Sequence, residues 1–330
     1  MPHRRDLLRT ALLAMPALQL ARAAAAAAPA AAQPRFDTLR LFVPAAPGGG
    51  WDGTARLMER VLRQTQMAGN VQVENVPGAG GAVALPRFVG QMRGRADTLM
   101  VSGLTQLSAV IVNKSPVSLA QTTPIARLLG ETHVLVVPQE SPIRSLQDFV
   151  AAFRAEPKAM AVAGGSAGGS DHILLAMMAA RLGIPAGAIS YVAFSGGGPA
   201  VTAIVGNQVR AGISNWSEFQ PHVETGRMRA LGLSSDDRLA GVEVPTLREG
   251  GVDAVLYNWR AVFAPPRISE DEAARLESLV KAMVDSPEWK GEAEKRGWLP
   301  IYLARADFTA FLAEEAQRVG ETLQQLGLAS

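Results

Sequence analysis

Short apolar runs in this chain repeatedly end in loops of glycine and small hydroxyl residues that open into helical patterns. That recurrence restricts the fold more than any other feature. The first instance is the strand pattern Thr38–Val43. It leads into Pro44-Ala45-Ala46-Pro47-Gly48-Gly49-Gly50-Trp51-Asp52 and an amphipathic stretch with Ala55, Leu57, Met58, Val61 and Leu62 on its apolar face. Asp52 or Thr54 is the expected N-cap of that helix. The second strand, Val71–Asn75, precedes Pro77-Gly78-Ala79-Gly80-Gly81 and a helix to about Met92, and Thr98–Val101 is a third strand ending at Ser102-Gly103. Strand alternating with helix predicts an α/β fold, a mostly parallel sheet with helices on both faces. In such sheets ligands bind beyond the carboxyl ends of the strands, where these loops lie.

The scheme then repeats. His133–Val137, halted by Pro138, is expected to cross to a second lobe. There Met160–Ala163 is followed by the loop Gly164–Ser170 and a helix over Asp171–Leu182. Ser190–Phe194 is followed by Ser195-Gly196-Gly197-Gly198 and a helix through Val205, and Val209–Asn215 ends a strand at a polar tip. Met228–Leu233 is expected to return the chain to the first lobe, and two helices, Glu270–Asp285 and Asp307–Leu326, form the tail. The expected division is a first lobe of residues 36–136 and 236–330 and a second of 137–235.

Residues 1–32 differ from the rest. Arg4, Arg5 and Arg9 precede the apolar run Ala11–Ala21, and an alanine-rich tract closes the segment. A charged start, a short apolar middle and small residues are the order of a secretory signal peptide. The twin arginine admits either a twin-arginine or a general export route. The apolar run falls short of the ~20 residues a membrane helix needs, so a soluble periplasmic protein is expected. The segment holds four arginines and one aspartate, so its removal turns the formal charge from +2 to −1. No polyanionic partner follows from that charge, and the 5% aromatic content gives nucleic-acid binding no support. With no cysteine, disulfides, thiolate metal sites and a cysteine nucleophile are excluded. No cofactor is expected, and the four histidines show no metal-ligand spacing.

Glycine lets a backbone approach a ligand closely, and the unpaired N–H groups of a helix start favour an anion. Loops of this kind on two lobes could hold one carboxylate from both sides. Each glycine, taken singly, has the alternative role of tightening a turn or letting a helix pack. The expected contacts are Pro47, Gly49, Gly50, Trp51 and Asp52 in the first loop, with Gly81, Ser102 and Thr105. The second lobe contributes Ser166, Gly168, Gly169, Ser170, His172, Ser195, Gly196 and Asn215. Trp259 and Arg260 are placed at the cleft rim, Arg260 as the planar cation for a second carboxylate, with core packing and a plain surface arginine as the alternatives. Two enzyme readings compete. Gly48, Gly50 and Gly53 match a dinucleotide fingerprint, though Pro44–Pro47 separate them from the strand. Gly164-x-Ser166-x-Gly168 matches the nucleophile elbow of a serine hydrolase, with His222 the available base.

Pro47-Gly48-Gly49-Gly50-Trp51-Asp52-x-Thr54-Ala55-Arg56 resembles the opening signature of the tripartite tricarboxylate transporter substrate-binding proteins, also called Bug receptors. Val73-Glu74-Asn75-x-Pro77-Gly78-Ala79-Gly80-Gly81 is similar to their second signature. The likeness continues through Gly168-x-Ser170-x-His172, Gly196-Gly197-x-Pro199-Ala200, Gly226–Leu231, Val244–Gly251 and Asn258–Pro266. The resemblance implies a two-lobed periplasmic binding protein of the type II kind, non-catalytic and monomeric. It would hold a small organic carboxylate in the cleft between lobes and deliver it to a large and a small integral-membrane transporter subunit. Trp51 with Trp259-Arg260 resembles the tricarboxylate branch, which implies citrate or a related acid. Many relatives carry an aspartate near the tip where Asn215 stands; its absence here suits a purely anionic ligand.

Overall fold

The computed structural model describes residues 36–329; the expected signal peptide, residues 1–32, lies outside them. The chain opens with β1 (Phe36–Val43), α1 (Gly50–Gln64) and β2 (Ala68–Asn75), then α2 (Ala84–Gln91), β3 (Thr98–Gly103) and α3 (Leu104–Val112). The long strand β4 (Thr123–Pro138) follows, then α4 (Leu146–Ala155), β5 (Ala161–Gly164), α5 (Ser170–Arg181), β6 (Ser190–Ala193), α6 (Gly197–Val205), β7 (Ala211–Asn215) and α7 (Trp216–Glu224). The chain closes with β8 (Met228–Leu233), β9 (Tyr257–Ala264), α8 (Glu270–Asp285), α9 (Pro287–Lys295) and α10 (Arg305–Gln325).

The strands form one sheet in the order β2-β1-β3-β9-β4-β7-β5-β6, with β8 also on β4. β1 is parallel to β2 and β3, and β5 is parallel to β6 and β7, as alternating strand and helix requires. Between these two parallel groups the sheet is antiparallel, which departs from the sequence expectation. β9 runs against β3 and β4, and β4 against β7 and β8. The reason is that β4 and β9 carry the chain between the two groups, so each meets its neighbours in the reverse direction. β4 pairs with β9 up to Thr132 and with β7 from His133, so one buried strand of sixteen residues belongs to both halves. β8 was expected to return the chain to the first half. It stays in the second, paired with Val134–Pro138, and the return is made by residues 234–256 leading into β9.

Apolar side chains form three clusters that fix these layers. Leu39, Leu41 and Val43 of β1 pack with Met58 and Val61 of α1 and with Leu276 and Val280 of α8. On the opposite face Phe42, Phe88, Phe263 and Phe308 join a larger cluster that runs into the second half through Ile173, Leu174 and Ile213. Val134, Ile204, Trp216 and Phe219 form the third. At about 25 cal/mol per Å² of apolar area, burial on this scale is the main favourable term, and it holds the strand tips in a fixed relation to one another. Among the described residues no helix is long and apolar enough to cross a membrane.

Candidate functional site

The strand tips of both halves face one cavity of about 100 Å³. Its wall is made largely of helix starts. α1 begins at Gly50, α3 at Leu104, α5 at Ser170, α6 at Gly197 and α7 at Trp216, each directly after or a few residues beyond a strand. The first N–H groups of a helix have no partner within it, and the aligned peptide dipoles make that end positive. Among the described residues, no protein acceptor meets the N–H of Gly50 or Trp51 in α1, or of Gly197 in α6.

Each half anchors its first glycine loop with an aspartate in the following helical turn. Asp52 Oδ2 accepts from the Gly48 N–H (2.9 Å) while Oδ1 accepts from Asn75 Nδ2 (3.0 Å). Asp171 Oδ2 accepts from the Gly165 N–H (2.7 Å). The N-cap of α1 is Gly49, in place of the expected Asp52 or Thr54, because the Asp52 carboxylate turns back to the loop and Thr54 Oγ1 donates to Gly50 O. The second glycine loop depends on backbone shape. Gly81 has φ +90°, and a Cβ there would stand 2.8 Å from Gln106 Nε2. That amide donates to Gly81 O (3.0 Å), and Ser102 Oγ donates to Gln106 Oε1.

Loops from the two halves approach each other on both sides of the cavity. A Cβ on Gly196 would stand 3.9 Å from Gly49 Cα, and one on Gly198 would stand 3.8 Å from Gly48 O. On the other side Thr105 Oγ1 and Ser170 Oγ share a hydrogen bond of 3.1 Å, and Gly80 approaches Ser166. Asn258 Nδ2 of β9 donates to Asn215 Oδ1 of β7 (3.0 Å), a third link across.

Of the residues expected to meet a ligand, Gly49, Gly50, Trp51, Thr105, Ser166, Ser170, Ser195, Gly196, Asn215 and Arg260 line the cavity. Pro47 is exposed on the turn before it. Asp52, Gly81 and Ser102 stand behind the wall and shape it through the bonds just given. Gly168 packs on Val112 and Gly169 on Thr105, at the contact between halves. His172 is not part of the cavity lining: its Nδ1 accepts from the Gly168 N–H (3.1 Å), and its ring stacks on Tyr191 at 4.2 Å. Burial lowers its pKa to about 4, so it stays neutral and an acceptor at physiological pH. Tyr191 in turn donates to Gly165 O (2.8 Å), and burial raises its pKa well above the ordinary value. Trp259 leaves the cleft altogether. Its indole donates to Glu315 Oε1 (3.0 Å) and lies edge-on to Phe308 and Phe311, because adjacent residues of β9 face opposite sides of the sheet.

Arg260 does reach the cavity, but its charge is committed. It is ion-paired to Glu131, both side chains being almost fully buried, and its Nη1 donates to Gly50 O (2.9 Å) and Thr54 Oγ1 (2.8 Å). The cation expected to meet a second carboxylate is therefore one whose charge Glu131 already balances. Sequence reasoning missed four polar groups of the wall: Asp171, Ser214, Glu218 and Asn258. Asn215-x-x-Glu218 has the spacing of a helix start, a signal that could have singled out Glu218. Ser214 Oγ donates to Glu218 Oε2 (2.9 Å). Burial pushes the Glu218 pKa up to about 7; nearby Arg260 opposes this, while Glu131 and Asp171 add to it.

The enzyme readings find little here. Ser166 makes no side-chain hydrogen bond to a histidine among the described residues, and His222 borders a second hollow that shares Gly49, Gly50, Glu218 and Arg260 with the cavity. Among the described residues no group of three or more histidine, aspartate or glutamate side chains is placed to hold a metal ion.

Comparison with known proteins agrees with this geometry. The model of the tripartite tricarboxylate transporter family receptor matches residues 54–328. BugT of Bordetella pertussis is 28% identical over 326 residues, covering 96% of this chain and 98% of that one. The periplasmic binding protein BugD superposes with a TM-score of 0.81 at 17% identity, over 90% of this chain and 99% of its own. MatC of Rhodopseudomonas palustris, solved with bound malate, superposes with a TM-score of 0.77 at 25% identity, over 87% and 98%. The fold is therefore that of the periplasmic binding proteins, a mixed α/β architecture with a cleft between two lobes, and the chain belongs to the tripartite tricarboxylate transporter receptor family.

Proposed function

We propose that this chain is an exported, non-catalytic receptor. It captures a small organic carboxylate between residues 36–136 with 236–330 and residues 137–235, and delivers it to the membrane subunits of a tripartite transporter. One observation carries the reading: helix starts from both halves line one cavity, and the N–H groups of Gly50, Trp51 and Gly197 among them have no protein acceptor. Such donors are in place before the ligand arrives, and each becomes a charge-assisted hydrogen bond when a carboxylate replaces water.

The cavity volume, about 100 Å³, suits an acid of a few carbons, well below the ~300–1,000 Å³ of drug-sized sites. Its charge balance bears on valence. Arg260 is neutralised by Glu131, and Asp171 stands in the wall, so a dianion of the malate kind fits better than fully ionised citrate. MatC, with its malate, supports that preference by kinship. In this reading the close approach of the glycine loops is the closed state of a hinge made of β4 and residues 234–256.

A thermal-shift screen of citrate, isocitrate, malate, succinate and longer dicarboxylates tests the reading. A ligand at 100 times its Kd adds about 2.7 kcal/mol of stability by mass action. One or more acids should raise the melting temperature in a dose-dependent way. No response to any of them would refute the receptor reading.

A further inference from the structure

The cavity wall and the residues just behind it contain more acid than an anion receptor needs. Asp171 is committed to the Gly165 N–H, and His133 Nε2 lies 3.3 Å from its Oδ1. Glu131 is committed to Arg260 and Ser217. Among the described residues no cation pairs with Glu218: it accepts from the neutral Ser214 Oγ (2.9 Å) and Asn215 Nδ2 (3.3 Å). Its carboxyl sits where the two glycine loops meet, so close that a Cβ on Gly197 or on Gly50 would collide with it. A carboxylate ligand held by the N–H groups of Gly50 and Gly197 would therefore lie against the Glu218 carboxyl. Two ionised carboxyl groups in such contact repel strongly away from water, and one proton shared between them removes the repulsion.

We propose that Glu218 makes anion capture proton-linked: it enters the complex as the neutral acid, donates its O–H to the ligand carboxylate, and takes up one proton from solvent per anion bound above neutrality. This rests on the receptor reading and deepens it by naming the group that reads the ligand's charge. The charged and titratable groups around Glu218 are Arg260 on β9, Glu131 on β4 and Asp171 on α5, with His222 on its own helix and Arg296 beyond α9 bordering the outer hollow they share. Arg260 alone among the three nearest favours ionisation, and its own partner Glu131 offsets it. Together with burial this leaves Glu218 half-protonated near pH 7 in the free protein.

The consequence is quantitative. If the neutral form alone binds, apparent affinity is scaled by the neutral fraction, so a group with a pKa of about 7 weakens binding roughly 25-fold between pH 6.5 and 8.5. Isothermal titration of malate and adipate over that range, in two buffers of different ionisation enthalpy, reads affinity and proton uptake together. Both acids are almost wholly dianionic in free solution over this range, so proton uptake reports a proton entering the Glu218–ligand pair, and the Glu218→Gln comparison assigns it to that residue. The expected result is the 25-fold loss, with uptake rising towards one proton per ligand. Glu218→Gln keeps the shape and an N–H donor but cannot ionise; its affinity should be flat with pH and exceed the wild type's at pH 8.5. Unlinked binding, with constant affinity and no buffer dependence in the wild type, would overturn the proposal while leaving the receptor reading intact. Affinity that rises with pH would overturn it too. Failure of every acid of the thermal-shift screen to bind at any pH would overturn the receptor reading itself.

Discussion

Replacing Glu131 by leucine strips the counter-charge from Arg260 at the point where β4 changes partners from one half to the other. Glu131 is 0% and Arg260 1% exposed by side chain, so neither can turn to water without opening the cleft. After the substitution the guanidinium keeps the Gly50 carbonyl and the Thr54 hydroxyl as hydrogen-bond acceptors, and below about pH 6, where Glu218 is neutral, no carboxylate beside it takes over the counter-charge. Removing one partner of a buried ion pair costs about 3–5 kcal/mol, because the remaining charge stays desolvated and uncompensated. Guanidinium chloride unfolding followed by circular dichroism should show a loss of that size. The double variant Glu131→Leu/Arg260→Met removes both charges and should recover most of it, since paired removal is often neutral. The same single substitution acts on the site. Glu131 raises the Glu218 pKa and Arg260 lowers it, so without Glu131 the pH at which Glu218 ionises should fall. A single-variant loss below about 1 kcal/mol, or a double variant no more stable than the single, would refute the view that this pair is a buried, mutually dependent unit.

Three further outcomes are expected. Gly197→Ala puts a methyl group into the Glu218 carboxyl and 2.7 Å from Ser214 Oγ, so ligand affinity should fall at least tenfold, about 1.4 kcal/mol, with near-normal folding; titration calorimetry checks it. His172 is held below its ordinary pKa, at about 4, so the folded state resists a proton that the unfolded chain binds from pH 6.5 downward. Stability should therefore decline as pH falls from 6.5 to 4, and His172→Phe should remove that part of the slope; unfolding curves across this range read it. Phe308→Ala empties a fully buried ring site between Trp259 and Phe263, and equilibrium unfolding should show a loss of about 3–5 kcal/mol.

The parallel parts of the fold were legible because each unit announces itself locally. In β1–α1 and β5–α5 an apolar run, a glycine loop and a helix face follow within some thirty residues or fewer, and the boundaries fall within a few residues of expectation. β9 was hidden because Asn258, Trp259 and Arg260 are polar or bulky residues in a strand whose partners, β3 and β4, lie more than a hundred residues away. α7 was hidden by Pro221 within it. The same limit applies to the site. Glycine loops could be placed at strand tips from spacing, so Gly50, Ser166, Ser170 and Gly196 fell where a cavity would be. Side-chain direction could not. Trp259 and Arg260 are neighbours with opposite fates, one sealed against α10 and one paired to Glu131, and single-sequence spacing does not tell which face a strand residue takes when neither face is exposed. The role of Asp171 and Glu218 in the wall depended on the angle between α5 and α7, which tertiary packing decides.

The most direct measurement is a crystal structure of the protein grown with malate. The expected density places one carboxylate in the cavity, within hydrogen-bond distance of the Gly50 and Gly197 N–H groups, with Thr105 and Ser170 still joined at the far end. Malate bound in the outer hollow beside His222 and Arg296, with the cavity between the halves filled by water alone, would contradict the claim that helix starts from both lobes make the anion site.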